Sequence, residues 1–162
     1  MTLVLNRIDD RLIHGQVVVG WGQPLDIGFI VLVDDTVAQN DWEQELYRMA
    51  VPPEMEVHFH SATAAAAHLD AYRAHPSPGI LLTGDIATMA TLVDRGGVRD
   101  VNVGGIHHRA GRVQHLRYVF LTGEEQEALR ALSRAGAVVT AQDVPAARAV
   151  SLEELLISRE GA

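Results

Sequence analysis

The chain has 162 residues, with 13 basic side chains against 21 acidic ones and a formal charge of −8. A hydrophobic share of 48% and a charged share of 21% are those of a folded globular chain, which excludes wholesale disorder. The acidic balance argues against a general nucleic-acid or anionic-membrane surface, and the lack of cysteine excludes disulfides, thiolate zinc sites, iron–sulfur clusters and thiol nucleophiles.

Short β-branched runs alternate with helical stretches along the chain. Leu3-Val4-Leu5 opens a strand that ends near Ile8, and Phe29-Ile30-Val31-Leu32-Val33 is continuously apolar until Asp34-Asp35. The segment Asp41 to Ala50 carries Trp42, Leu46 and Met49 at helical spacing, which predicts a helix with these residues on its packed face, ended by Pro52-Pro53. A strand over Val57 to His60 and an Ala-rich helix over Ala62 to Ala74 follow. Ile80-Leu81-Leu82 predicts a strand, and Ile86 to Arg95 a helix closed by Gly96-Gly97. Further strands are expected at Val101-Asn102-Val103, Tyr118 to Leu121 and Ala137-Val138-Val139, with a helix over Glu124 to Ala135. Ser151-Leu152-Glu153-Glu154 reads as the capped start of a short last helix.

Runs apolar on both faces suit parallel strands covered by helices on both sides. The alternation predicts a single-domain, doubly wound α/β fold, Rossmann-like, with right-handed crossovers. Leu3-Val4-Leu5 behind Met1 is too short for a secretory core, and no apolar run approaches the roughly 20 residues of a spanning helix. One soluble, cytoplasmic domain over residues 1–162 is therefore expected.

Ligands of such sheets bind beyond the carboxyl ends of the strands. The first strand leads into Arg7-Ile8-Asp9-Asp10-Arg11-Leu12-Ile13-His14-Gly15-Gln16-Val17, with a helix expected from about His14 to Trp21. Free N–H groups at a helix start favour an anion, here those of Gly15 and Gln16. Arg11 can grip phosphate oxygens in a bidentate fork. Asp9 or Asp10 could accept one imidazole N–H of His14 and leave the other nitrogen nucleophilic. These residues suit a phosphohistidine site. They equally suit a capping histidine beside a solvated ion pair, and no glycine-rich phosphate motif decides between the two.

The stretch Arg7 to Val17 resembles the active-site segment of the EIIB component of the mannose/fructose/sorbose family of the bacterial sugar phosphotransferase system. Gly20-Trp21, Ile30 to Asp35, Met49 to Pro53, Val101 to Gly105 and Val150 to Leu155 agree in order, so the resemblance spans residues 2 to about 157. It implies an open, mostly parallel seven-stranded sheet. It implies a phosphoryl carrier and transferase that accepts phosphate from a phosphohistidine on EIIA and passes it to a sugar imported by the membrane EIIC/EIID permease. His14 falls on the phosphorylated residue, with Nδ1 as the accepting atom, Arg11 on the loop arginine and Asp10 on the adjacent acid. Arg7 and the Thr83 hydroxyl are expected in support. EIIA is implied to be a separate chain, a homodimer is common in the family, and neither metal nor other cofactor is expected.

Asp34-Asp35 is expected to be solvated or to meet a partner. His58 and His60 alternate on one strand face, where structural or surface roles are expected. His107-His108 is expected in a solvated turn, with a basic rim as the alternative, and His68, His75 and His115 at exposed or helix-end positions. Trp21 and Trp42 are expected to pack. Two rival functions stand beside the relay: a regulatory phosphohistidine module without a complete permease, and a metal-dependent hydrolase using His58, His60 and His107-His108.

Overall fold

β1 (Leu3–Ile8) and β2 (Phe29–Val33) send successive side chains to opposite faces of one sheet, and β2 is buried on both, while β1 leaves Val4 exposed. The structure is a computed structural model that describes residues 2–158. The chain continues through α1 (Asp41–Met49), β3 (Glu56–His60), α2 (Ala62–Arg73), β4 (Gly79–Thr83), α3 (Ile86–Gly96) and β5 (Asp100–Val103). Then come β6 (Val113–Leu116), β7 (Val119–Leu121), α4 (Gly123–Arg134), β8 (Val138–Ala141), β9 (Val150–Ser151) and α5 (Leu152–Ile157). The main sheet has seven strands in the order β3-β2-β4-β1-β5-β8-β9, parallel except for β9.

The two faces of the sheet carry separate cores. Phe29, Val31 and Val33 pack with Leu81 under α2 and α3, while Ile30 and Leu32 pack with Ile80 and Leu82 under Val17, Val18 and Trp21. Each of these fully buried aliphatic side chains contributes about 1.5–3 kcal/mol. Each α-helix is capped at its start by a side chain: Asn40, Ser61, Asp85, Thr122 and Ser151 each accept an amide of the first turn.

Tyr118 to Leu121 does not join the main sheet. Residues 119–121 form β7, which pairs antiparallel with β6 in a separate two-stranded sheet. Only Arg117-Tyr118 separates them, far too short for a parallel crossover. The seventh place in the main sheet belongs instead to the two-residue β9, antiparallel to β8.

α1 also departs from expectation. Trp42, Leu46 and Met49 point outward, at 74%, 45% and 75% exposure, and the helix turns Tyr47 inward against Phe59 of β3. α1 packs beside β3, the edge strand, and nothing among the described residues covers its outer face. Trp21, in contrast, is buried as expected. His115 is wholly buried, with its Nδ1 3.2 Å from the Leu155 carbonyl, so it is not an exposed position.

The carboxylates after β2 serve the local fold. Asp34 Oδ1 accepts the amides of Thr36 and Val37, and Asp35 Oδ1 accepts that of Ala62. On β3, His58 Nε2 meets Glu56 at 3.0 Å, while His60 Nε2 meets the Tyr72 hydroxyl at 2.6 Å and stacks on His68. Burial, helped by the charges of His68 and His58, lowers the His60 pKa. The native state therefore holds His60 neutral over a window in which the unfolded chain, near 6.5, takes up a proton. Stability from this group is present above about pH 6.5 and is lost as pH falls, with a one-proton ceiling of about 1.4 kcal/mol per pH unit. Solvent screening keeps the slope below that ceiling. Urea unfolding at pH 7.5 and 5.5 is expected to show a smaller acid loss for His60→Gln than for the wild type. Equal losses would remove His60 from this role.

Candidate functional site

Ile8 of β1 stands level with Thr83 of β4 and Val103 of β5, and Val103 with Ala141 of β8. Four strands thus end together, and their following loops are stitched across. The Asp9 amide donates to the Thr83 carbonyl, Asp10 to Gly105, Gly104 to Ile8 and Gln142 to Val103, all at 2.7–3.0 Å. The segment singled out from the sequence lies at the centre of this edge, where β1 is flanked by strands reached in opposite directions.

Arg7 is fully buried beneath the loop. Its Nη1 donates to Asn102 Oδ1 at 2.5 Å and to the Gln142 carbonyl at 2.8 Å. Its Nη2 donates to Asp9 Oδ2 at 3.3 Å and to the Asp143 carbonyl at 3.1 Å. The guanidinium also lies 5.0 Å from the Trp21 ring centre. Gly104 makes room for it: a Cβ there would sit 2.3 Å from Arg7 Cζ. Burial pulls the Arg7 pKa down against the pull of Asp9, yet an arginine remains charged.

Asp9 is the hub. It is completely buried and takes the Arg11 amide and Nε at Oδ1, both at 3.1 Å, and Arg11 Nη2 at Oδ2 at 3.0 Å. Burial pushes its carboxyl up, but the Arg11 hydrogen bonds and the Arg7 charge outweigh that and hold it below the usual range. The same bonds raise the Arg11 pKa. Arg11 keeps 36% of its side chain exposed and gives Nε and Nη2 to Asp9 and Gln16, so its charge is presented to solvent with Nη1 outside these bonds. Its Nη2 also donates to Gln16 Oε1 at 2.6 Å, and Gln16 Nε2 donates to Asp143 Oδ1 at 3.1 Å. Arg117 closes the far side of Asp143.

His14 is half-buried, at 20% exposure, on the solvent side of this network. Its Nδ1–H donates to the Leu12 carbonyl at 2.8 Å, and its Nε2 lies 3.9 Å from Asp9 Oδ2 without a hydrogen-bond partner. In this orientation Nδ1, the expected accepting atom, is occupied. Leu12 holds a left-handed backbone, φ 59°, which a non-glycine residue adopts at a cost of about 1–2 kcal/mol. The bend turns the Leu12 carbonyl toward the His14 ring.

Several expectations change here. Asp10 does not reach His14; its carboxylate instead holds His107 by the ring and the amide, and Asp9 is the acid beside His14. The stretch from His14 to Trp21 is no regular α-helix but a wide π-helical turn over Gln16–Trp21. The amides of Gly15 and Gln16 have no backbone acceptor among the described residues, as anion-binding groups require. Thr83 is buried, and its hydroxyl donates to the Asp85 carbonyl at 3.3 Å. Sequence reasoning missed Asn102 and Asp143. Asn102, a polar residue between Val101 and Val103 in a buried strand, carried a usable signal; Asp143, on a loop without pattern, carried none.

This geometry suits the handling of a small anion at an imidazole, and known proteins carry the same arrangement of chain. Residues 3–161 match the family described as the sorbose subfamily IIB component of the phosphotransferase system. The N-acetylgalactosamine-specific phosphotransferase enzyme IIB component 2 of Escherichia coli is 34% identical over 95% of this chain and 98% of its own. The sorbose-specific EIIB component of Klebsiella pneumoniae is 31% identical, over 84% of each chain. The crystal structure of the IIB domain of the Klebsiella pneumoniae sorbose permease superposes with a TM-score of 0.85 at 29% identity, covering 96% of this chain and 97% of that one. The chain belongs to the sorbose subfamily of the IIB components of the bacterial sugar phosphotransferase system.

Proposed function

We propose that this EIIB carries a phosphoryl group on His14 between a phosphohistidine of EIIA and a sugar entering through a membrane EIIC/EIID permease. The observation that carries the reading is the pairing of a partly exposed imidazole with the partly exposed guanidinium charge of Arg11. Phosphoryl transfer passes through a loose transition state with charge spread over the equatorial oxygens, so positioning and positive charge do most of the work. Arg11 and the amides of Gly15 and Gln16 stand where they can receive that charge. Arg7 and Asp9 hold Arg11 in place and do not touch the group. The P–N bond to EIIA breaks as a P–N bond to His14 forms.

The two ring nitrogens divide the labour. With its proton on Nδ1, the ring rests on the Leu12 carbonyl. With its proton on Nε2, the ring faces the Asp9 carboxylate, and the lone pair of Nδ1 is repelled from Leu12 and freed for attack. Acceptance at Nδ1 is thereby reached by a small turn of the ring. Transport is favoured over a purely regulatory role because the matched relatives are named for sugar-specific systems. EIIA is a separate chain in this reading, and the domain works in the cytoplasm against its permease. No helix among the described residues is long and apolar enough to cross a membrane.

Incubation with the phosphorylated upstream proteins and mass-spectrometric mapping is expected to place one phosphoryl group on His14. A label elsewhere refutes the assignment. Arg11→Lys is expected to slow single-turnover transfer about ten- to hundredfold, because one charge-assisted hydrogen bond of about 1.5–3 kcal/mol is lost while the charge remains. An unchanged rate removes Arg11 from the transition state.

A further inference from the structure

The loop after β5 brings a second acid–imidazole pair to the mouth of the same site. Asp10 Oδ1 accepts Nδ1–H of His107 at 2.5 Å, and Asp10 Oδ2 accepts the His107 amide at 2.8 Å. The His107 carbonyl accepts Arg112 Nη1 at 2.6 Å. Arg112 is in turn gripped by Glu125, at 2.9 and 2.8 Å, the residue that completes the capping box of α4. His107 thus has its ring, its amide and its carbonyl all fixed although its side chain is 51% exposed. An exposed imidazole in a turn has no need of three anchors; a ring held ready for a ligand does.

Its direction is the second observation. A Cβ built on Gly105 would lie 3.0 Å from His107 Cε1, 3.1 Å from Arg11 Nη2 and 3.2 Å from Asp9 Oδ1. Cε1 of the ring, bonded to Nε2, therefore borders the same point as Arg11 and Asp9. His14 Nε2 lies 3.9 Å from Asp9 Oδ2, so both imidazoles neighbour this carboxylate. Nδ1 of His107 is committed to Asp10, which leaves Nε2 as the ring nitrogen available to a ligand.

We propose that His107 is a catalytic residue of the transfer, its Nε2–H donating to an equatorial oxygen of the phosphoryl group as that group moves onto His14. This rests on the reading of His14 as the acceptor. The ring gives one N–H to Asp10 and one to the phosphoryl oxygen, so it acts doubly protonated and neither loses nor gains a proton in the step. The only bonds exchanged are the P–N bond that breaks on the donor and the one that forms on His14. Asp10 is then a positioning residue, acting through His107.

Single-turnover transfer from phosphorylated EIIA tests this with His107→Ala and His107→Gln, both checked for folding by circular dichroism. At saturating phospho-EIIA the alanine variant is expected to transfer about ten- to hundredfold more slowly, with an unchanged half-saturating concentration. Glutamine, which keeps an N–H in reach, is expected to recover part of the rate. The 31P resonance of phospho-His14 is expected to shift in the alanine variant. A wild-type rate at saturation with an unmoved resonance overturns the proposal, as does a defect confined to the half-saturating concentration, which marks a docking contact. A wild-type protein unlabelled at His14 instead brings down the parent reading, so the two failures are separate.

Discussion

His14→Ala is expected to take up no phosphoryl group from phosphorylated EIIA while keeping its fold. The ring makes one hydrogen bond, to the Leu12 carbonyl, and stands half-exposed on the outer side of the loop. Losing one neutral hydrogen bond costs about 0.5–1.5 kcal/mol, a small part of the 5–15 kcal/mol of a typical domain. The scaffold beneath does not depend on it, since Asp9 is held by Arg7 and Arg11. What is lost is the imidazole whose Nε2 lies 3.9 Å from Asp9 Oδ2, while the ring of His107 stays tied to Asp10. Phosphoryl incorporation by intact-mass measurement, with thermal unfolding in parallel, checks both halves. Residual labelling at the wild-type level moves the acceptor elsewhere, and a collapsed fold shows that the imidazole is structural.

Arg7→Met is expected to produce the reverse pattern, a large loss of stability by a residue that never meets the phosphoryl group. Methionine fills similar space, but Asn102 Oδ1 and the Gln142 and Asp143 carbonyls lose their Arg7 donor, and Asp9 is left with Arg11 alone. Removing one member of a buried ion pair leaves an uncompensated charge and costs about 3–5 kcal/mol. Lysine does not restore the wild type, because a point charge cannot span acceptors spread around a planar fork. Urea unfolding measures the effect directly. A loss under about 1 kcal/mol would show that Arg11 alone satisfies Asp9. Transfer is expected to fall as well, since Asp9 and Asp143 hold Arg11 and Gln16.

The parallel sheet was legible because Phe29 to Val33 and Ile80 to Leu82 are apolar without interruption, a pattern that only burial on both faces produces. The last strand was not, because two residues carry no period. In α1 the apolar spacing of Trp42, Leu46 and Met49 was read correctly as helical but assigned to the wrong face, since periodicity reports a stripe and not what covers it. At the site, residue types located the loop, while the partner of each carboxylate was beyond them. Asp9 and Asp10 are neighbours in sequence yet point to opposite tasks, one beneath His14 and Arg11, the other toward His107. That choice is made by backbone geometry, including the left-handed turn at Leu12, and by Gly105 and His107 arriving from a loop almost a hundred positions later.

The bonds from Arg7 to Gln142 and Asp143 span 135 and 136 positions of sequence. The histidine is therefore synthesised well before the loop that seats its scaffold. A nascent chain ending before β8 carries the imidazole without the cradle, with the Arg7 charge lacking two of its acceptors. The cradle beneath the imidazole is therefore completed only when β8 and the loop after it have joined β1.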